Sequence, residues 1–177
     1  MVSQLSKSGK HRAFDEISRI FEERKYALKD FFVPKNEYFT GFSETEIQEQ
    51  LVEHIREAEY DACLTLLAAI EAAFRIDCDY CCRKRPRTPR AKAVRKIVQT
   101  FEGMSIDRIS LNELFEQLLV DQSVKKSIVN YLKQFFKFRH WLAHGRYWTF
   151  KSGEPPTFGE IYKLAQVINR LLFRYSF

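Results

Sequence analysis

Between Arg139 and Gly145 the chain reads RHWLAHG, which places one arginine beside two of the chain's four histidines. The histidines stand four residues apart, a spacing that two zinc ligands take on one helical face. The residue after the first is Trp141, however, where a helical zinc protease needs glutamate. No Ser, Thr or Cys occurs from Phe135 to Trp148 to act as a local nucleophile. What remains is proton transfer beside a phosphate. An imidazole with an unperturbed pKa of about 6.5 gives or takes a proton at neutral pH, and a guanidinium grips phosphate oxygens in a two-pronged fashion. RNA suits such a set, because its 2′-hydroxyl is an internal nucleophile. The protein then has only to remove a proton, stabilise the charged phosphorane and protonate the leaving 5′ oxygen. Neither a metal nor another cofactor is expected.

The motif closes a helix that starts at Asp121 or Ser123 and stops at Gly145. Along it Ile128, Tyr131, Phe135, Phe138 and Leu142 recur at three and four and form the expected core face. Lys126, Asn130, Lys133, Lys137, His140 and His144 form a polar, basic stripe. Arg139 lies about 40° round from Phe135, at the border of the core face, and needs a partner. Glu71, in the otherwise apolar LLAAIEAAF, is a candidate carboxylate, with Arg75 one turn later as rival claimant. On one continuous helix Arg139 and His144 point roughly 140° apart, too far to hold one phosphate unless the last turn unwinds. A two-fold dimer resolves this by letting Arg139 of one subunit face the cleft of His144 from the other. Trp141, Tyr147 and Trp148 flank the motif and suit base stacking or a subunit interface.

The elements that must hold this motif are helices. A chain of 177 residues, 45% hydrophobic, with six Gly and five Pro, reads as one all-α domain built as an up-and-down bundle of five or six helices. Residues 1–11 are expected to be flexible. The first helix spans about Arg12 to Phe32 and ends before Pro34. Ser43 and Glu46 make a capping box for a long spine helix, carried by Ile47, Leu51, Ile55, Ala58, Ala62, Leu66, Ala69 and Ala73 to about Cys78. Pro86 and Pro89 stop it. A shorter helix with Ala91, Val94 and Ile97 ends near Gly103, Ser110 and Glu113 form a second capping box, and a last helix carries Ile161, Leu164, Ala165, Ile168 and Leu172.

Eight of the fourteen residues from Arg83 to Lys96 are Lys or Arg and none is acidic; the net charge is +6. Arg83, Lys84, Arg85 and Arg87, with Lys133, Lys137 and Arg146 near the motif, are the expected phosphate contacts. The alternative for the basic run is a solvated face. Cys78, Cys81 and Cys82 lack a second pair at zinc-finger spacing and read as reduced thiols. The longest apolar run, from Cys63, is too short to span a bilayer, and the polar N-terminus lacks a secretory core. A cytoplasmic protein without a membrane segment is expected.

The string Arg139-His140-Trp141-Leu142-Ala143-His144-Gly145 resembles the R-x(4–6)-H motif of the HEPN superfamily, small helical bundles many of which are metal-independent endoribonucleases. The residue after the arginine is commonly Asn, Asp or His there, and here it is His140. The resemblance implies Arg139 and His144 as catalytic pair, His140 as supporting polar group and Glu71 as a contributor seen in only some families. It also implies a homodimer with a shared cleft, products with 2′,3′-cyclic phosphate and 5′-hydroxyl ends, and a toxin or defence role, with an antitoxin or other regulatory protein as further partner. The other reading stays open: RHWLAHG as an ordinary helix end, with Gly145 a left-handed cap, in a non-catalytic module that binds nucleotide, RNA or a partner protein.

Overall fold

The computed structural model describes residues 11–101, 106–120, 124–151 and 153–172. Among them are six α-helices and no strand: α1 Phe14–Phe31, α2 Glu44–Lys84, α3 Pro89–Thr100, α4 Leu111–Glu116, α5 Lys126–Ala143 and α6 Phe158–Leu171. The fold is an all-α helical bundle. The expected flexible N-terminal segment and the Gly103 end fall almost entirely outside the described residues, and α5 begins at Lys126 behind an extended Lys125, later than the expected Asp121 or Ser123.

The spine is α2, about 60 Å long at 1.5 Å per residue, and every other α-helix packs on it. Its start is the expected capping box: the Ser43 N–H donates to the Glu46 carboxylate (2.7 Å) and the Glu46 N–H to the Ser43 hydroxyl (3.3 Å). Its end lies two turns beyond Cys78. The apolar stripe continues through Ile70, Ala73, Phe74, Cys78 and Cys81, but a buried carboxylate, Asp77, interrupts it in sequence. Arg90 of α3 neutralises that carboxylate through two bonds of 2.8 and 2.9 Å. Arg85, left-handed at φ 49°, then ends the helix. Pro89 does not act as a stop: it occupies the first turn of α3 behind an N-cap, Thr88, whose hydroxyl accepts from the Ala91 N–H.

Long-range pairs fix the helix directions. Arg24 meets Asp61 and Phe32 packs on His54, so α1 runs against α2. Arg139 meets Glu71 and Arg146 meets Glu57, so α5 also runs against α2. Tyr162 donates to Asp15 while Phe158 packs on Phe21, so α6 runs against α1. One core of Leu66, Leu67, Ile70, Phe115, Leu132, Phe138, Ile161 and Ile168 fills the centre. A smaller cluster, Phe32, Phe39, Ile47 and Leu51, seals the α1–α2 end.

Two local expectations are corrected. Ser110 makes no side-chain cap, and one Glu113 carboxylate oxygen is enclosed without a hydrogen-bond partner. The buried face of α5 is Val129, Leu132, Phe135 and Phe138, while Tyr131 is 53% exposed. At 100° per residue the middle of that buried arc lies within about 10° of Arg139, so the guanidinium leaves the inward face of α5 and not its border.

A capping box that opens α6 yields a pH prediction. The Thr157 N–H and hydroxyl both donate to Glu160 (2.8 and 2.9 Å), and they hold its carboxyl below the ordinary value of 4.5, the backbone N–H contributing most. A carboxylate held low contributes stability that is complete above its ordinary value and fades as the pH falls through its folded value. Glu160→Gln is expected to cost roughly 0.3–1 kcal/mol at pH 7 in urea unfolding. The difference should shrink once the pH drops below 4.5; a gap that stays constant down to about pH 2 would contradict the assignment.

Candidate functional site

The motif sits where α5 ends. Ala143 is its last residue and His144 its C-cap. The Gly145 N–H then donates to the Leu142 carbonyl (3.3 Å) and the Arg146 N–H to the Trp141 carbonyl (3.2 Å), the paired bonds of a Schellman motif. Gly145 takes φ 76°, as expected for a left-handed cap. Arg146 follows at φ 58°, a conformation that costs a side-chain-bearing residue roughly 1 kcal/mol. Two bonds to Glu57 (2.7 and 2.8 Å) and a place over the Tyr60 ring hold it there. The pair keeps Glu57 below the usual carboxylate range. Arg146, expected on RNA, is thus engaged in folding the turn back onto α2.

Arg139 reaches Glu71 at 3.2 Å, and Arg75 reaches the other oxygen of the same carboxylate at 3.4 Å. The two claimants share Glu71. Arg75 also donates to the carbonyls of Ile106 and Ile109, which leaves Arg139 the less committed of the pair. Its side chain is 36% exposed, and its Nε is enclosed without an acceptor.

His140 and His144 face away from Arg139. Their rings meet at a tilt of 56° with centroids 4.2 Å apart, and both lie against Trp148, at 6.0 and 6.3 Å. Both are exposed. Since the last turn of α5 stays helical through Ala143, the divergence of Arg139 and His144 read from the sequence persists within one chain: one side chain is on Glu71, the other on His140 and Trp148.

Beside the histidines runs a groove of about 770 Å³. Lys133, Lys137, His140 and Lys151 contribute its polar lining; Phe136, Trp141, Trp148 and Phe150 contribute aromatic surface. No Asp or Glu lines it. The indole N–H of Trp141 donates to the Trp148 carbonyl (2.6 Å), which fixes the 148–150 segment as one wall. Lys133 is paired with Glu116, while Lys137 and Lys151 are exposed without a partner among the described residues. Lys151 lies in a turn-rich stretch with no periodicity, so no sequence signal pointed to it. Trp141 is largely a packing residue, against Tyr60, Phe138 and Phe150; Tyr147 is 83% exposed.

The basic run is divided in its roles. Arg90 is buried on Asp77, and Arg95 donates to the carbonyls of Cys81 and Pro86. Arg83 pairs with Asp79, whereas Lys84, Arg85 and Arg87 stand exposed. Because α2 and α5 are antiparallel, these cations lie about 20 Å along α2 from Glu71, on the side away from the histidines. All four cysteines are free thiols. Burial pushes Cys63 and Cys81 up to about 12, and among the described residues no three His, Cys, Asp or Glu side chains gather as metal ligands. No described helix is long and apolar enough to cross a membrane.

Comparison with known proteins gives no match to a protein-family model, to a curated protein or to a solved structure.

Proposed function

We infer that the protein is a metal-independent endoribonuclease of the HEPN type, with Arg139 and His144 as its catalytic pair and a homodimer as its working form. The observation that supports this most is the exposed imidazole pair at the end of α5, with ring centroids 4.2 Å apart, of which His140 lines a groove that also carries three lysines and no carboxylate. One imidazole takes the 2′-hydroxyl proton and an acid returns one to the leaving 5′ oxygen, while a guanidinium carries the charge of the phosphorane. Arg139, turned onto Glu71 in its own chain, serves the cleft of the neighbouring subunit. A toxin or defence nuclease of this kind, working in the cytoplasm, would be held off by an antitoxin or other regulatory protein. The test is incubation of RNA with the purified protein at neutral pH in EDTA, followed by analysis of the ends. Products with 2′,3′-cyclic phosphate and 5′-hydroxyl ends are expected; cleavage that appears only when divalent ions are restored and leaves 5′-phosphate ends would overturn the assignment in favour of metal-assisted hydrolysis.

One observation favours a second reading, a non-catalytic module that binds RNA, nucleotide or a partner protein: within a chain Arg139 and His144 are held to different surroundings. Intact RNA both in EDTA and with divalent ions restored, by protein free of any inhibitor, would select it.

The basic run makes a separate prediction. Replacing Lys84, Arg85 and Arg87 together by Ala is expected to weaken RNA binding for all sequences alike. The slope of log affinity against log salt should flatten by about 0.7 for each phosphate of a single strand that these side chains no longer neutralise. Fluorescence anisotropy at several salt concentrations reads this, and an unchanged slope would return the run to the role of a solvated face.

A further inference from the structure

Two grooves of similar volume border α5, about 770 and 750 Å³, and their linings differ in charge. The one between α5 and α6 carries Glu154 and Glu160 beside Lys163, which disfavours a polyanion. The one beside the histidines carries Lys133, Lys137 and Lys151 and no acid. Of these, Lys137 and Lys151 lie on opposite sides of the aromatic surface in sequence, on α5 and on the segment after the Schellman turn, and neither is committed to a partner among the described residues. Asn112 adds a carboxamide able both to donate and to accept at a base edge.

We propose that this groove holds an unpaired nucleotide of a single-stranded RNA, the base against Trp148 and Phe150 and the adjoining phosphates on Lys137 and Lys151. Aromatic surface flanked by uncommitted cations is the arrangement that binds single strands, since every base offers a π-face and every linkage a charge. A nucleotide inside a duplex has both base faces covered by its stacked neighbours and cannot enter. The inference deepens the RNA reading above and rests on it for the class of ligand. It specifies that the strand next to the histidines must be unpaired.

Both tryptophans of the chain line this groove, so intrinsic fluorescence reports on it directly. The probe is a 2′-O-methyl RNA 12-mer, which lacks the nucleophile and stays intact, compared with the same strand in a duplex and with AMP. Saturable quenching by the single strand is expected, with much weaker quenching by the duplex. The Lys137→Ala/Lys151→Ala double variant, altered only at exposed positions, should bind about tenfold more weakly and lose about 1.4 from the salt slope, the share of two neutralised phosphates on a single strand. The proposal is overturned if the strand binds by anisotropy without quenching, if the duplex quenches equally, if AMP matches the strand's affinity, if the double variant keeps affinity and slope, or if nothing binds. Quenching that obeys the expectation with RNA that is never cleaved would sustain the groove and refute the nuclease.

Discussion

Alanine at Arg139 or at His144 is expected to lower RNA cleavage by roughly 10²- to 10⁴-fold, the range over which a positioned proton-transfer or charge-stabilising group acts. Neither loss should come from unfolding. His144 is exposed and its backbone alone makes the C-cap bonds. Arg139→Ala removes one cation from Glu71 but leaves Arg75 on the same carboxylate at 3.4 Å, so no buried charge is left unpaired. Far-UV circular dichroism should match wild type for both. His140→Ala should weaken cleavage less. The decisive measurement mixes the two inactive variants after refolding them together. A heterodimer retains one cleft with an intact Arg139 and an intact His144, and part of the activity should return. Full activity from either single variant would remove that residue from the mechanism, and activity under demonstrably monomeric conditions would rule out a shared cleft.

The largest stability effect is expected at Arg90. Its guanidinium and the Asp77 carboxylate are both buried and joined by two bonds, at the junction of α2 and α3. Arg90→Ala removes the main countercharge from a carboxylate that water cannot reach, which typically costs about 3–5 kcal/mol. For a chain of this size that corresponds to a fall in Tm of order 10 °C. Replacing both residues at once, as Asp77→Leu with Arg90→Met, should cost less than the single change, because the charge that needs a partner goes too. Thermal unfolding followed by circular dichroism distinguishes the cases. A single variant within about 1 kcal/mol of wild type would mean that Asp77 finds another countercharge.

Local signals were legible in the sequence and long-range ones were not. The Ser43–Glu46 box, the left-handed Gly145 and the all-helical architecture follow from residues within one turn of each other, and each is present. The Glu71 carboxylate stood out because it interrupts an apolar run, and it takes Arg139 and Arg75 together. The pairing of Asp77 with Arg90, thirteen residues on, has no local signal, and α2 runs past it to Lys84. Tyr131 and Leu132 both fit a three-and-four pattern, and it is Leu132 that enters the central core while Tyr131 is exposed. Arg146 looked like a phosphate contact because Glu57 is 89 residues away.

The unbroken course of α2 constrains how this protein can diversify. Each residue added to or removed from a helix turns everything beyond it by about 100° and shifts it by about 1.5 Å. Since α2 receives Arg146 at Glu57, Arg139 at Glu71 and Arg90 at Asp77, a change of length between any two of these would turn one away from its partner. Descendants of this chain can therefore vary length more cheaply outside α2, in the stretch just before Thr157, while the residue count from Glu57 to Asp77 is inherited as a fixed ruler.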